Sequence, residues 1–468
     1  MKVTPMRVAP IGVSASANGA LTLREESTSM QVLPMRVLCM VLLIASGAAT
    51  ANPNVPPPPQ AEPILVTNAV IHTVSGATIA DGHMLFSEGR ITAVGASEIV
   101  APNTRVIDLG GRHVYPGLIS AHTALGLVEI SAVRATVDVA EPGLVNPNVR
   151  TEVAVNPDSE LIPVARANGV LAALTVPSGG LIRGTSAVIQ LDGWTWEDMT
   201  LKAPVGMHIE WPVITIPGDV DAEREEQLTE AREERVGMLE DSLEAAAAYR
   251  TARESGEPVD LDLRWEAMIP VFDGSLPVFA HAQDLPQIRH AMHLAEEYGL
   301  KLILVGGADA WRVADQLAER DIPVIVSNVL RLPLRRWEDY DTPYANPAKL
   351  AEAGVTFSIA TPGGTFAAGH VRDLPNEAAM AVAYGLDAEE AVKAVTLYPA
   401  QILGVDDRLG SLEAGKDATF IVTDGNPLDI RTQVERAFVQ GREIDLTSRH
   451  TTLYEKYSQR LDQREESE

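Results

Sequence analysis

Between residues 169 and 385 one unit recurs: a short apolar run closed by turn residues, followed by an amphipathic stretch. The runs are GVLAALTVP (169–177), LPVFAHA (276–282), LKLILVGG (300–307), IPVIVSN (322–328) and VTFSIATP (355–362). The helical patterns are DLPQIRHAMHLAEEYG (284–299), DAWRVADQLAER (309–320) and NEAAMAVAYG (376–385). Apolar strands buried on both faces and separated by amphipathic helices indicate a parallel sheet. Roughly eight such units over about 300 residues predict an α/β fold, a (β/α)8 TIM-like barrel spanning 113–404.

Short alternating strands flank this region. ILVTNAVIHTV, HMLFSEGRITAVG and TRVIDLGG read as a small antiparallel sheet, and ATFIVT and RAFVQGREI supply matching strands near the other end. Neither set closes a core alone. The expectation is one small β-sandwich domain built from 64–112 and 405–446. A charged helical insertion at 219–256 interrupts the barrel rhythm, with Leu228, Val236, Leu239, Leu243 and Ala247 on one stripe. Residues 447–468 read as a tail.

The N-terminus reads as an export signal. Arg36 precedes the apolar run VLCMVLLIA (37–45), and Ala-x-Ala closes at 49–51. Cleavage after Ala51 would leave a periplasmic or secreted protein with no stable membrane span. Met30 and Met35 are alternative starts. The single cysteine, Cys39, lies within the signal, so the mature chain has no thiolate ligand. Four prolines in NPNVPPPPQAEP (52–63) read as an extended linker. The formal charge of −27 argues against a nucleic-acid partner, because phosphates would be repelled.

The segment GRHVYPGLISAH, together with LGSLEAGKDATFIVTDGNPL near the far end, resembles the amidohydrolase superfamily, in its imidazolonepropionase-like and prolidase-like branch. The resemblance implies a metal-dependent hydrolase acting on C–N bonds that are not specifically peptide bonds. It implies two histidines on strand one, a lysine or glutamate in mid-barrel, histidines on strands five and six, and an aspartate on strand eight. His122 matches the first histidine, but Ala124 stands at the second. His281 matches strand five; Gly306 or Gly307 stands at strand six and Pro362 at strand eight. Ser120 replaces a common acidic residue.

Two imidazoles without a carboxylate hold zinc weakly, since catalytic zinc normally has three protein ligands. His208 and Glu210, two residues apart on one strand face, are candidate replacements. Arg183, Asn328, Thr361 and His370 are candidate substrate-binding residues. Gly179-Gly180 and Gly184-Thr185 would let backbone amides approach an anion; the alternative is a Gly-rich hairpin turn. Two functions follow. One is an exported hydrolase of an amide-like small molecule with an atypical or absent divalent metal such as zinc. The other is an inactive homologue, binding a ligand or serving as partner subunit of a metal-bearing homologue, in a homo- or hetero-oligomer.

Overall fold

The computed structural model describes residues 55–465 apart from 217, 219 and 257. The expected export signal and its cleavage site lie outside the described residues. No helix among the described residues is long and apolar enough to cross a membrane.

The Pro-rich segment is fastened to the protein where it is described. Pro56 is buried, and the Gln60 side chain accepts from Gly89 N at 3.0 Å and donates to Phe86 O at 2.9 Å. Five strands follow: β1 (Ile64–Ile71), β2 (Ile79–Ser87), β3 (Arg90–Gly95), β4 (Arg105–Asp108) and β5 (His113–Pro116). Then come β6 (Leu118–Thr123), β7 (Val170–Thr175), β8 (Ile182–Thr185), β9 (Ala187–Gln190), β10 (Thr200–Lys202) and β11 (Met207–Glu210). The series continues with β12 (Val278–Ala282), β13 (Leu302–Gly306), β14 (Val324–Ser327) and β15 (Phe357–Ala360), and ends with β16 (Phe420–Thr423), β17 (Val434–Val439) and β18 (Arg442–Ile444).

The first five and last three strands share one eight-stranded sheet, in the order β18-β17-β16-β5-β1-β2-β3 with β4 also on β1. The sheet is mixed rather than antiparallel: β1 pairs with both β4 and β5 in parallel. The β2–β3 hairpin lies between β1 and β4 in sequence, and it supplies the long crossover that a parallel pair needs. Phe86, Phe420 and Phe438 fill this sheet's core, with the last two rings stacked at 4.5 Å.

The remaining strands form a four-stranded sheet, β10-β9-β7-β6, and a six-stranded sheet, β15-β14-β13-β12-β11-β8. Strand β15 lies against β6. Pairings from β11 through β15 are parallel, as are β6 and β7. Strands β9 and β8 instead run antiparallel to β7 and β11. The cause is local. The segment 176–181, bearing Pro177 and Gly179-Gly180, is too short for a crossover helix, so the chain turns back.

Helix Leu285–Tyr298 shows how sequence fixes the layers. Asp284 and Gln287 form a capping box, Gly299 ends the helix in the left-handed region, and Ile288, Ala291, Met292 and Ala295 face the core. The expected insertion is a helix, Ala222–Glu254, packed on the following helix Leu263–Phe272. Its buried face is Leu239, Leu243, Ala246 and Tyr249, shifted C-terminally from the expected stripe. The tail carries a helix, Arg449–Glu465. A buried ion group joins the end sheet to the rest. Asp192 takes Arg166 at 3.2 Å and Arg442 of β18 at 2.8 Å.

Candidate functional site

Strand β6 enters the molecule through Pro116-Gly117. A Cβ at Gly117 would lie 2.8 Å from the Leu171 side chain, so only glycine lets β6 settle beside β7. The strand delivers His122, whose Nδ1 lies 3.2 Å from Ser327 Oγ at the end of β14. The loop after β15 closes over the same ring. A Cβ on Gly363 would sit 2.0 Å from His122 Cε1 and 2.5 Å from Nε2.

Strand β11 alternates between two environments. Met207 and Ile209 enter the main core, and His208 and Glu210 take the other face. The parallel register sets His208 beside Phe279 and Glu210 beside His281 of β12. His208 stacks on Phe279 at 4.7 Å, and its Nδ1 meets His281 Nε2 at 2.8 Å. The His281 ring lies 5.2 Å from those of both His122 and His208. Strand β8, antiparallel to β11, brings Arg183 onto Glu210, where the two side chains form an ion pair.

The result is a cluster of three imidazoles and one Arg–Glu pair. Burial, and then the Arg183 charge, lowers the His122 pKa to about 4. Burial holds His208 and His281 well below the ordinary histidine value, and the other histidines and Arg183 add to the shift. All three rings are therefore neutral at pH 7. Burial lowers Arg183 and raises Glu210, each partly offset by the other; Arg235 of the long helix also favours the Glu210 carboxylate. A neutral imidazole carries one N–H and one lone pair. Whichever ring donates in the His208–His281 bond, His208 Nε2 is left buried without a partner.

These donors do not fit a catalytic metal as they stand. Two of the imidazole nitrogens are engaged with each other, and the Gly363 backbone packs on the His122 ring. Ala124 is packed against Val128 and Ala368. Gly306 has φ +99° and backs onto Gln283, and Pro362 carries no donor. Among the described residues, no group of three or more His, Cys, Asp or Glu side chains is arranged to hold a metal ion.

The structure thus gathers His122, His208, His281, Arg183 and Glu210. Thr361 is fully buried, and its hydroxyl has no partner. Asn328 follows Ser327 in the left-handed region (φ 63°), with its N–H donating to Ala360 O at 2.9 Å. His370 is bound to Asp373 at 3.1 Å and is half exposed, apart from the cluster. Ser327 and Gly363 belong to the site but have no signal in sequence. Serine and glycine are common at strand ends, and only tertiary packing places them on His122.

This fold and strand-end cluster define the class: a model of the amidohydrolase family matches residues 196–447, and the chain belongs to that family. The chain is 24% identical over 430 residues to amidohydrolase tasK of Hapsidospora irregularis, covering 81% of this chain and 43% of that protein. It thus spans less than half of that relative's length. It is 27% identical over 376 residues to an imidazolonepropionase of Symbiobacterium thermophilum, covering 74% and 84% of the two chains. An amidohydrolase structure from Thermotoga maritima superposes with a TM-score of 0.71 at 28% identity, covering 82% of this chain and 99% of that one. Such neighbours imply a TIM-barrel-containing α/β fold, and members of the superfamily are generally metal-dependent.

Proposed function

We propose that this chain is an exported, ligand-binding member of its hydrolase family. The two inner sheets are read as one closed (β/α)8 barrel and the eight-stranded sheet as a β-sandwich from both chain ends. The strand ends are read as a pocket for a small amide-like molecule. The family's metal centre has been replaced by imidazoles that satisfy one another, and the chain serves as partner subunit to a metal-bearing homologue. The observation that carries this reading is the His208–His281 hydrogen bond, which occupies nitrogens a metal would need. The missing acid-base carboxylate at Pro362 agrees with it, because water activation needs a proton acceptor.

A second reading has one observation in its favour, the buried and unpartnered His208 Nε2. Rotation of that ring would let His122, His208 and His281 supply three neutral donors, the usual number for catalytic zinc. The chain would then hydrolyse C–N bonds itself.

Elemental analysis and zinc titration of the purified, unchelated protein separate the two. The binding reading expects far less than one equivalent of metal and no release of amine from simple amides. One equivalent that disappears in His281→Ala, together with amide hydrolysis, would establish the second reading. Fractionation of the producing cells tests export, and co-purification tests the partner.

A further inference from the structure

We propose that Arg183 anchors a carboxylate on the ligand and that Glu210 is an internal stand-in displaced when that ligand enters. This rests on the pocket reading above and names the chemical class the pocket selects.

The two members of the pair differ in freedom. The Arg183 side chain is 14% exposed, whereas Glu210 is 41% exposed. Arg183 also sits on a fixed strand. Bridges from Val145 to Ile182 and from Arg150 to Thr185 hold β8, and a Cβ on Gly184 would fall 2.5 Å from Val149 O. Glu210, at the end of β11, is free to turn toward water. Arg235, on the exposed half of the long helix, lies close enough to interact with its carboxylate. A buried and an exposed arginine thus face the same glutamate, and the exposed one gives it a partner once it has left.

Charge balance requires a replacement. The three imidazoles beside Arg183 are neutral, so Glu210 alone compensates the guanidinium from within the cluster. A buried cation without a counter-ion is unfavourable, so Glu210 leaves only when another anion arrives. The guanidinium fork matches a planar carboxylate in shape, and the present occupant is itself a carboxylate. Arg183 Nε and His208 Nε2, both buried without partners, offer further contacts to an entering polar group.

The test compares two amides of similar size, hippurate (N-benzoylglycine) and its neutral counterpart N-benzoylglycinamide, by calorimetric titration of the full-length protein. Hippurate should bind wild type in preference to the neutral amide, and Glu210→Gln should bind it about tenfold more tightly or better. The double variant Arg183→Gln/Glu210→Gln, neutral and so free of an orphaned charge, should lose that preference while melting as a folded protein. Equal binding of the two amides by wild type and Glu210→Gln would overturn the carboxylate anchor and leave the amide pocket standing. Binding of neither amide, with the fold intact, would overturn the pocket itself and the anchor with it.

Discussion

His208 Nδ1 and His281 Nε2 lie 2.8 Å apart, so two buried imidazoles on neighbouring parallel strands are partners to each other. Removing either leaves the other's nitrogen without a partner in a dry environment. His208→Ala and His281→Ala should each fold and each lose about 1–3 kcal/mol of stability. The double variant should lose less than the sum, because the second change removes the orphan left by the first. Denaturant unfolding of the four proteins measures the coupling, and strict additivity would mean that the pair is not an energetic unit.

The neutral state of this cluster makes stability depend on pH with a defined sign. In the unfolded chain histidine takes a proton near its ordinary value of about 6.5. In the fold, His122 resists it down to about 4. The unfolded state therefore binds more protons between these values, and acid favours unfolding there. His122 should contribute nothing to the pH dependence above about pH 7 and a loss on the order of 2–3 kcal/mol by pH 4.5. Unfolding curves across that range should flatten by this amount in His122→Ala. An unchanged profile would show that the ring is hydrated in solution.

Gly363 is held to glycine by the His122 ring and not by its own backbone conformation. Gly363→Ala should cost about 1–3 kcal/mol, the usual range for overpacking. His122→Ala/Gly363→Ala should recover much of that loss, since the added methyl then has room. Thermal melts decide it, and absence of recovery would place the strain elsewhere in the loop.

Asp192 compensates a buried arginine in the helix Leu161–Ala167 and a partly buried one on β18. Asp192→Ala should therefore destabilise by about 3–5 kcal/mol, far beyond a surface ion pair. Limited proteolysis should then cut first in the β16–β18 region, because that end of the sheet loses a tie to the rest. A change within about 0.5 kcal/mol, as at a surface site, would contradict the role assigned here.

Much of the architecture was legible because each inner strand is a short apolar run with its own stop. VFAHA and LILVG could hardly be anything else, and the strands found there begin and end within those runs. The reversal at β8 and β9 was harder to read. Its cause is the length of 176–181, and the glycines in that segment suit a hairpin and an anion loop equally well. In the site, His122 and His281 stand at strand ends and are visible from sequence. The alternation of β11 placed His208 and Glu210 on one face. What stayed hidden was orientation. A histidine near a histidine reads as a ligand pair, and only coordinates show the rings bonded to each other.

The eight-stranded sheet has a bearing on biogenesis. Strand β5 finds its neighbour β16 about three hundred residues later in the chain, and β17 and β18 come later still. Until β16 has been made, β5 has an open edge that invites wrong partners. A polypeptide of this topology gains little by folding early, because the sheet is complete only once β16, β17 and β18 have joined β5.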